Sequence, residues 1–180
     1  MDPRSGESRS SGSDREPESR SNAPGGAGAA PFRVREWVRW SDVDAAGIVC
    51  YGMYLRFFEI AESDLFRKVE LPVRTLTDEH GLWLVRRRIT CDFVSPALVD
   101  DELEVSVYVQ EIGRTSLELR FVVVRAADQV ITAEASYVLV AVDRDRLQPV
   151  PLPDAVRSAL EPYRSDRASV LTALGLPPRD

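Results

Sequence analysis

The period of the apolar positions changes along the chain, and each change predicts an element. Phe32, Val34 and Glu36 alternate with Arg33, Arg35 and Trp37, and Val38 and Trp40 follow, so a first strand is expected over Phe32–Trp40. From Met53 to about Glu70 the spacing becomes helical: Tyr54, Phe57, Phe58, Ala61, Leu65 and Val69 share one face, widened by Leu55, Ile60 and Phe66. Arg56, Glu59, Ser63, Asp64 and Arg67 leave only a narrow polar stripe, and Pro72 ends the helix. Leu82–Val94 then reads as a strand ending at Ser95-Pro96, alternation returns around Leu103–Gln110 and Leu117–Val123, and Val130–Val142 is the last strand. Short turns at Glu111–Arg114 and Ala127–Gln129 join the last three strands into an antiparallel meander. Pro149, Pro151 and Pro153 mark the exit, and Ala155–Tyr163 is expected to form a short terminal helix. A strand, one long and nearly all-round apolar helix, and four antiparallel strands make an α+β layer in which a five-stranded sheet wraps the helix.

The segments outside this pattern bound the domain. Residues 1–30 carry no aromatic residue and only Met1 as a large apolar one, so they cannot offset their ordering entropy and are expected to be a disordered tail. The domain is expected over 31–165, with 166–180 as a flexible C-terminal tail. Hydrophobic residues make up 44% of the chain, enough for a core, and the net charge of −6 with no basic stripe argues against nucleic-acid binding. No signal peptide or bilayer-length apolar run is seen, which with two unpatterned cysteines, Cys50 and Cys91, predicts a cytoplasmic protein. The lone His80 and the lack of a Gly-x-Ser-x-Gly elbow disfavour Ser-His-Asp chemistry, and histidine-ligated zinc is equally unsupported. Hydrolytic chemistry here has to rest on a carboxylate, with no metal and no cofactor expected.

The carboxylates are found between Trp40 and Tyr54, where a strand gives way to the helix. Asp42 and Asp44 sit in the connecting loop, and Gly47 and Gly52 give it backbone freedom. A carboxylate beside a helix N-terminus has a defined use: unpaired N–H groups polarise a carbonyl while the carboxylate attacks it or activates water. The spacing Asp42-x-Asp44-x-x-Gly47-x-Val49-x-x-x-x-Tyr54 resembles the signature of the 4-hydroxybenzoyl-CoA thioesterase family, acyl-CoA thioesterases with the hotdog fold. The likeness continues through Leu55–Ala61 and, more loosely, to about residue 145.

That resemblance implies a thioesterase acting on acyl-CoA or on the phosphopantetheine arm of an acyl carrier protein, assembled as a homodimer or homotetramer. It maps the catalytic carboxylate onto Asp44, as nucleophile or general base, and leaves Asp42 to hold the loop. Tyr51 and Gly52 would supply the oxyanion donor, with Gly47 and Met53 near the substrate. Some relatives use a helix glutamate instead, which makes Glu59 the alternative carboxylate. Relatives place groups that touch the CoA arm at the turn corresponding to Arg114 and Ser116, whereas Arg86, Arg87 and Arg88 read as ordinary solvated charge. Tyr51, Met53 and Cys50 depart from residues common in relatives, which points to an altered acyl pocket. The rival readings are a hotdog dehydratase or polyketide cyclisation factor, disfavoured by Tyr51 standing where a histidine is needed, and a non-enzymatic acyl-thioester-binding protein.

Overall fold

A computed structural model describes residues 30–177. The expected N-terminal tail therefore lies, apart from Ala30, outside the described residues. The strands are β1 (Phe32–Trp37), β2 (Leu82–Phe93), β3 (Glu102–Ile112), β4 (Ser116–Arg125) and β5 (Val130–Asp143), and the long helix is α1 (Tyr54–Lys68). All strand pairs are antiparallel, in the order β1-β3-β4-β5-β2. The meander β3-β4-β5 is the one expected from its short turns. The two remaining strands close neither edge of the sheet on the other, so β1 and β2 are its open edges.

The alternation along each strand sends one set of side chains to α1. Val105, Val107 and Val109 of β3, Leu117, Leu119 and Phe121 of β4, and Ala135, Tyr137 and Leu139 of β5 join Phe57, Phe58, Ala61 and Leu65 of α1 in one core. Phe58 sits at its centre, 5.0 Å from the Phe121 ring and 5.9 Å edge-on to Tyr137. Truncating a buried aromatic of this kind to alanine costs about 3–5 kcal/mol. The helix ends two residues earlier than Pro72 alone requires. Glu70 takes a left-handed conformation (φ 61°) and the Leu71 N–H returns 2.8 Å to the Phe66 carbonyl, a helix-closing motif that satisfies an otherwise orphaned acceptor. A single π turn, Thr75–Glu79, then leads into β2 and was not anticipated from the sequence.

Beyond β5 the chain forms α2 (Asp154–Leu160), a 3-10 turn (Glu161–Tyr163) and α3 (Arg167–Ala173). The first two match the expected terminal helix. The third corrects the expectation of a loose tail from residue 166. Val170, Leu171 and Leu176 pack on the outer face of the sheet against Tyr108, Val122, Val124 and Ile131, forming a second core. The Asp166 carboxylate caps α3 by accepting the Ser169 N–H at 2.9 Å, and Arg167 grips Glu134 of β5 through two nitrogens at 2.7 and 2.8 Å. A seven-residue helix is not stable alone, so packing and this cap hold it. Its few apolar residues are too sparse to show as a periodic pattern.

Candidate active site

The loop after β1 is built as a tight, docked turn. Val43 and Val49 bridge its base, the Asp44 N–H donates to the Ile48 carbonyl at 2.9 Å, and the Gly47 N–H donates back to the Asp44 carbonyl at 2.9 Å. Gly47 has φ 76°, a conformation that other L residues adopt only with strain, so glycine is required there. The Val49 N–H to the Ala97 carbonyl, 2.9 Å, fastens the loop to the segment after β2.

The two aspartates of this loop have opposite environments. Asp42 is 1% exposed. Its Oδ2 accepts the Arg39 N–H at 2.8 Å and Nη2 of Arg56 at 2.6 Å, and its carbonyl accepts the Cys50 N–H at 2.9 Å. One residue thus ties the start of the loop, its end and helix α1 together. Asp44 is exposed, and its Oδ1 accepts the Ala46 N–H at 2.8 Å, which orients the carboxylate. Its Oδ2 has no partner among the described residues.

After Cys50 the chain makes a 3-10 turn, Tyr51–Met53, that runs directly into α1. The Met53 N–H bonds to the Cys50 carbonyl, but among the described residues the N–H groups of Tyr51 and Gly52 are given to no acceptor. Two unspent donors therefore stand at the start of a fifteen-residue helix, where the helix dipole adds positive character. Asp44, Ile48, Tyr51, Tyr54, Phe93 and Val94 line a cavity of about 490 Å³ beside them. Tyr54 and Phe93, 5.3 Å apart, form its aromatic wall, and burial pushes the Tyr54 phenol above its ordinary range. The Tyr51 side chain is 76% exposed, so its ring is not core packing, whereas Met53 packs against the main core. Burial pushes the nearby Cys91 thiol up to about 11, which removes it as a thiolate nucleophile at neutral pH.

The remaining residues singled out from the sequence lie at the other end of β2. Glu59 lines a second cavity, of about 430 Å³, with Glu62, Phe66, Leu82, Trp83 and Arg86. Arg114 lies in the β3–β4 turn and Ser116 opens β4, where it pairs with Val140, itself paired with Val85 of β2. Asp44, Gly47, Tyr51 and Gly52 thus cluster near the C-terminal end of β2, and Glu59, Arg114 and Ser116 near its N-terminal end. Within one chain the structure does not bring the two groups together.

Sequence reasoning missed the ion pair in the second cavity. The Glu62 carboxylate accepts Nη2 of Arg86 at 2.5 Å, and the guanidinium lies 5.2 Å over the Tyr137 ring. Burial raises the Glu62 carboxyl above the usual range, and Arg86 pulls it part of the way back. The signal available was the position of Glu62 on the apolar stripe of α1, one turn from Phe58 and Phe66.

Comparison with known proteins gives this geometry its family. The sequence pattern of the thioesterase-like superfamily matches residues 38–160. The chain belongs to that superfamily. It is 30% identical over 125 residues to the acyl-CoA thioester hydrolase YbgC of Escherichia coli, covering 69% of this chain and 92% of the relative. The acyl-CoA thioesterase YbgC of Haemophilus influenzae is 30% identical over 128 residues, covering 71% and 91%. A solved structure from Aquifex aeolicus superposes with a TM-score of 0.67 at 28% identity, covering 72% of this chain and 99% of the other. A 1,4-dihydroxy-2-naphthoyl-CoA thioesterase from Synechocystis shares the fold, with a TM-score of 0.68 at 20% identity over 73% and 96% of the two chains. The superfamily match takes in the whole Asp42–Tyr54 stretch, so the hotdog architecture and the thioesterase class both stand. No helix among the described residues is long and apolar enough to cross a membrane.

Proposed function

We propose that this protein hydrolyses acyl-CoA thioesters, with Asp44 as the catalytic carboxylate and the Tyr51 and Gly52 N–H groups as the oxyanion site. The thioester carbonyl oxygen sits against those two donors, which are fixed before substrate arrives and so stabilise the developing charge without reorganisation. Asp44 then either attacks the carbonyl carbon, giving an anhydride that water cleaves, or takes a proton from the water that attacks. On both routes the C–S bond breaks, the thiolate leaves and is protonated, and water supplies the second carboxyl oxygen of the acid.

The observation that carries the reading is the division of the site residues between the two ends of β2. This strand is an open edge of twelve residues, and it exposes Val85, Ile89 and Phe93, all apolar. Long apolar edges of this kind are normally covered. An antiparallel two-fold pairing of β2 with β2 of a second copy sets the C-terminal end of one strand against the N-terminal end of the other. Asp44, Tyr51 and Gly52 of one subunit then meet Glu59, Arg114 and Ser116 of its neighbour. The cavity around Glu59 becomes the acyl pocket, and Arg114 and Ser116 meet the phosphate-bearing arm of the substrate.

The test is thiol release from aryl, short-chain, long-chain and carrier-bound thioesters by wild type and two aspartate variants. Asp44→Asn keeps the shape of the side chain but cannot attack or accept a proton, so kcat is expected to fall at least ~100-fold. Asp42→Asn loosens the loop and the Arg56 contact, so it is expected to lower the thermal midpoint more and turnover less. A folded Asp44→Asn protein that releases thiol near the wild-type rate defeats the assignment and makes Glu59 the next residue to replace.

A further inference from the structure

The turn between β3 and β4 is fastened by its carbonyl groups. Nη2 of Arg157, on α2, donates to the Gly113 carbonyl at 2.5 Å, and the Leu152 N–H, just ahead of α2, donates to the Arg114 carbonyl at 2.9 Å. The Ala141 N–H holds the Thr115 carbonyl at 2.9 Å. In a planar trans peptide the N–H points opposite to the carbonyl. Drawing the Gly113 and Arg114 carbonyls toward the α2 segment therefore sends the N–H groups of Arg114 and Thr115 the other way. Those two N–H groups have no acceptor among the described residues, and neither have the hydroxyls of Thr115 and Ser116. Arg114 is exposed and makes no ion pair among the described residues. Gly113 completes the arrangement: a Cβ there would stand 2.5 Å from Ser116 Oγ, so only glycine leaves that hydroxyl its place.

A cation, two outward N–H groups and a free hydroxyl make a face that accepts anionic oxygens. We infer that Arg157 is the positioning residue of this face, holding the turn so that its donors meet the phosphates of the substrate arm. The inference rests on the reading that the turn meets that arm, and it gives α2 a part which that reading leaves out. Arg157 lies on the carbonyl side of the turn, so it acts on the phosphates only through the backbone it holds. The helix is anchored without it, since Val156 and Leu160 are both 0% exposed in the main core.

Two measurements on the full chain test this. The first is the Kd for CoA by calorimetry, which needs no turnover. The second is KM for one acyl group carried on CoA and on pantetheine, which keeps the thiol end of the arm but lacks the phosphates. Arg157→Met keeps an apolar stem on α2 and gives up the hydrogen bond. It is expected to weaken CoA about tenfold and to raise KM for the CoA thioester to match, with KM for the pantetheine thioester at the wild-type value. Gly113→Ala, which displaces Ser116 Oγ without touching α2, is expected to give the same selective loss. An Arg157→Met protein that binds CoA as tightly as wild type overturns the inference. So does an equal rise in both KM values, because damage to the fold would not spare pantetheine. If Arg157→Met does not fold, Gly113→Ala decides, and unchanged CoA binding by that variant overturns the inference. A wild type that binds CoA but hydrolyses neither thioester defeats the thioesterase reading and leaves the calorimetric test of Arg157 standing. A wild type that binds no CoA defeats the placing of the substrate arm and the inference with it.

Discussion

The two buried carboxylates, Asp42 and Glu62, show how much a single residue's surroundings decide. Asp42 meets a backbone N–H and a guanidinium at short range and serves as a joint. Glu62 is buried with one partner, and burial outweighs that partner in raising its carboxyl above the ordinary value. A raised value means the group's stabilising share is present below the unfolded-state pKa and is lost as pH rises through the folded-state value. Wild-type stability is therefore expected to decline with rising pH across that weakly acidic window, and Glu62→Gln is expected to flatten the decline in thermal melts. Arg86→Met strands the buried acid and is expected to cost about 2 kcal/mol at neutral pH, below the ~3–5 of a fully buried pair because Arg86 is partly solvated. An Arg86→Met protein as stable as wild type at neutral pH removes the pair from the stability account. The acid was visible in the sequence as a charge on an apolar stripe. Its partner was not, because Arg86 is 24 positions away and stands in a run of three arginines that reads as solvated surface.

At the scale of elements, alternation made β3, β4 and β5 legible because one face of each is apolar throughout and packs on α1, while the other mixes polar residues with the few apolar ones that α3 covers. β2 was legible as a strand but not in its facing. A bulge between Arg86 and Arg88 changes the phase, so that Leu82, Leu84 and Arg86 face α1 before it, and Ile89, Cys91 and Phe93 after it. No periodic pattern announces such a shift. The loop around Asp44 was legible because its backbone demands particular features: a left-handed glycine, a carboxylate bound to its own backbone, and a helix start. Helix α3 was not, since three apolar residues acquire meaning only when a sheet face is known to need them. Its removal has an optical signature. Burial pushes the Tyr108 phenol up to about 12. The sign is again that of a raised group, with its stabilising share present below about 10 and lost as pH climbs toward the folded value. Asp166→Ala deletes the cap and frays the helix over this ring. Tyr108 ionisation, followed by phenolate absorbance, is expected to shift down toward the ordinary tyrosine value. An unshifted titration means that the cap is dispensable for holding α3 in place.

For the whole molecule, the sequence led us to expect an assembly, since a wide apolar helix and a five-stranded sheet leave surface uncovered. It did not say which edge. The proposed seam follows composition: β1 is short and carries Arg33 and Arg35 paired to Glu102 and Glu104, which blunts it, while β2 is long and exposes Ile89 near its middle. Ile89→Lys places a charge at the proposed seam without touching the Asp44 cavity. It is expected to give a folded monomer of 20.1 kDa that has lost most thiol release, because half of each site then has no neighbour. A stronger test asks whether two dead chains make a live site. Asp44→Asn lacks the carboxylate, and an Arg114→Ala/Ser116→Ala chain lacks the groups proposed to meet the substrate arm from across the seam. If each site draws on both subunits, a hybrid dimer has one site with both defects and one with neither. Random re-association of equal amounts then restores about one site in four, as two-fold symmetry requires. If the residues of a site all belong to one chain, every site in the hybrid carries one defect or the other, and mixing restores nothing above the sum of the parents. Turnover measured before and after subunit exchange separates these outcomes without any knowledge of the natural acyl group, provided one thioester from the panel is hydrolysed by the wild type.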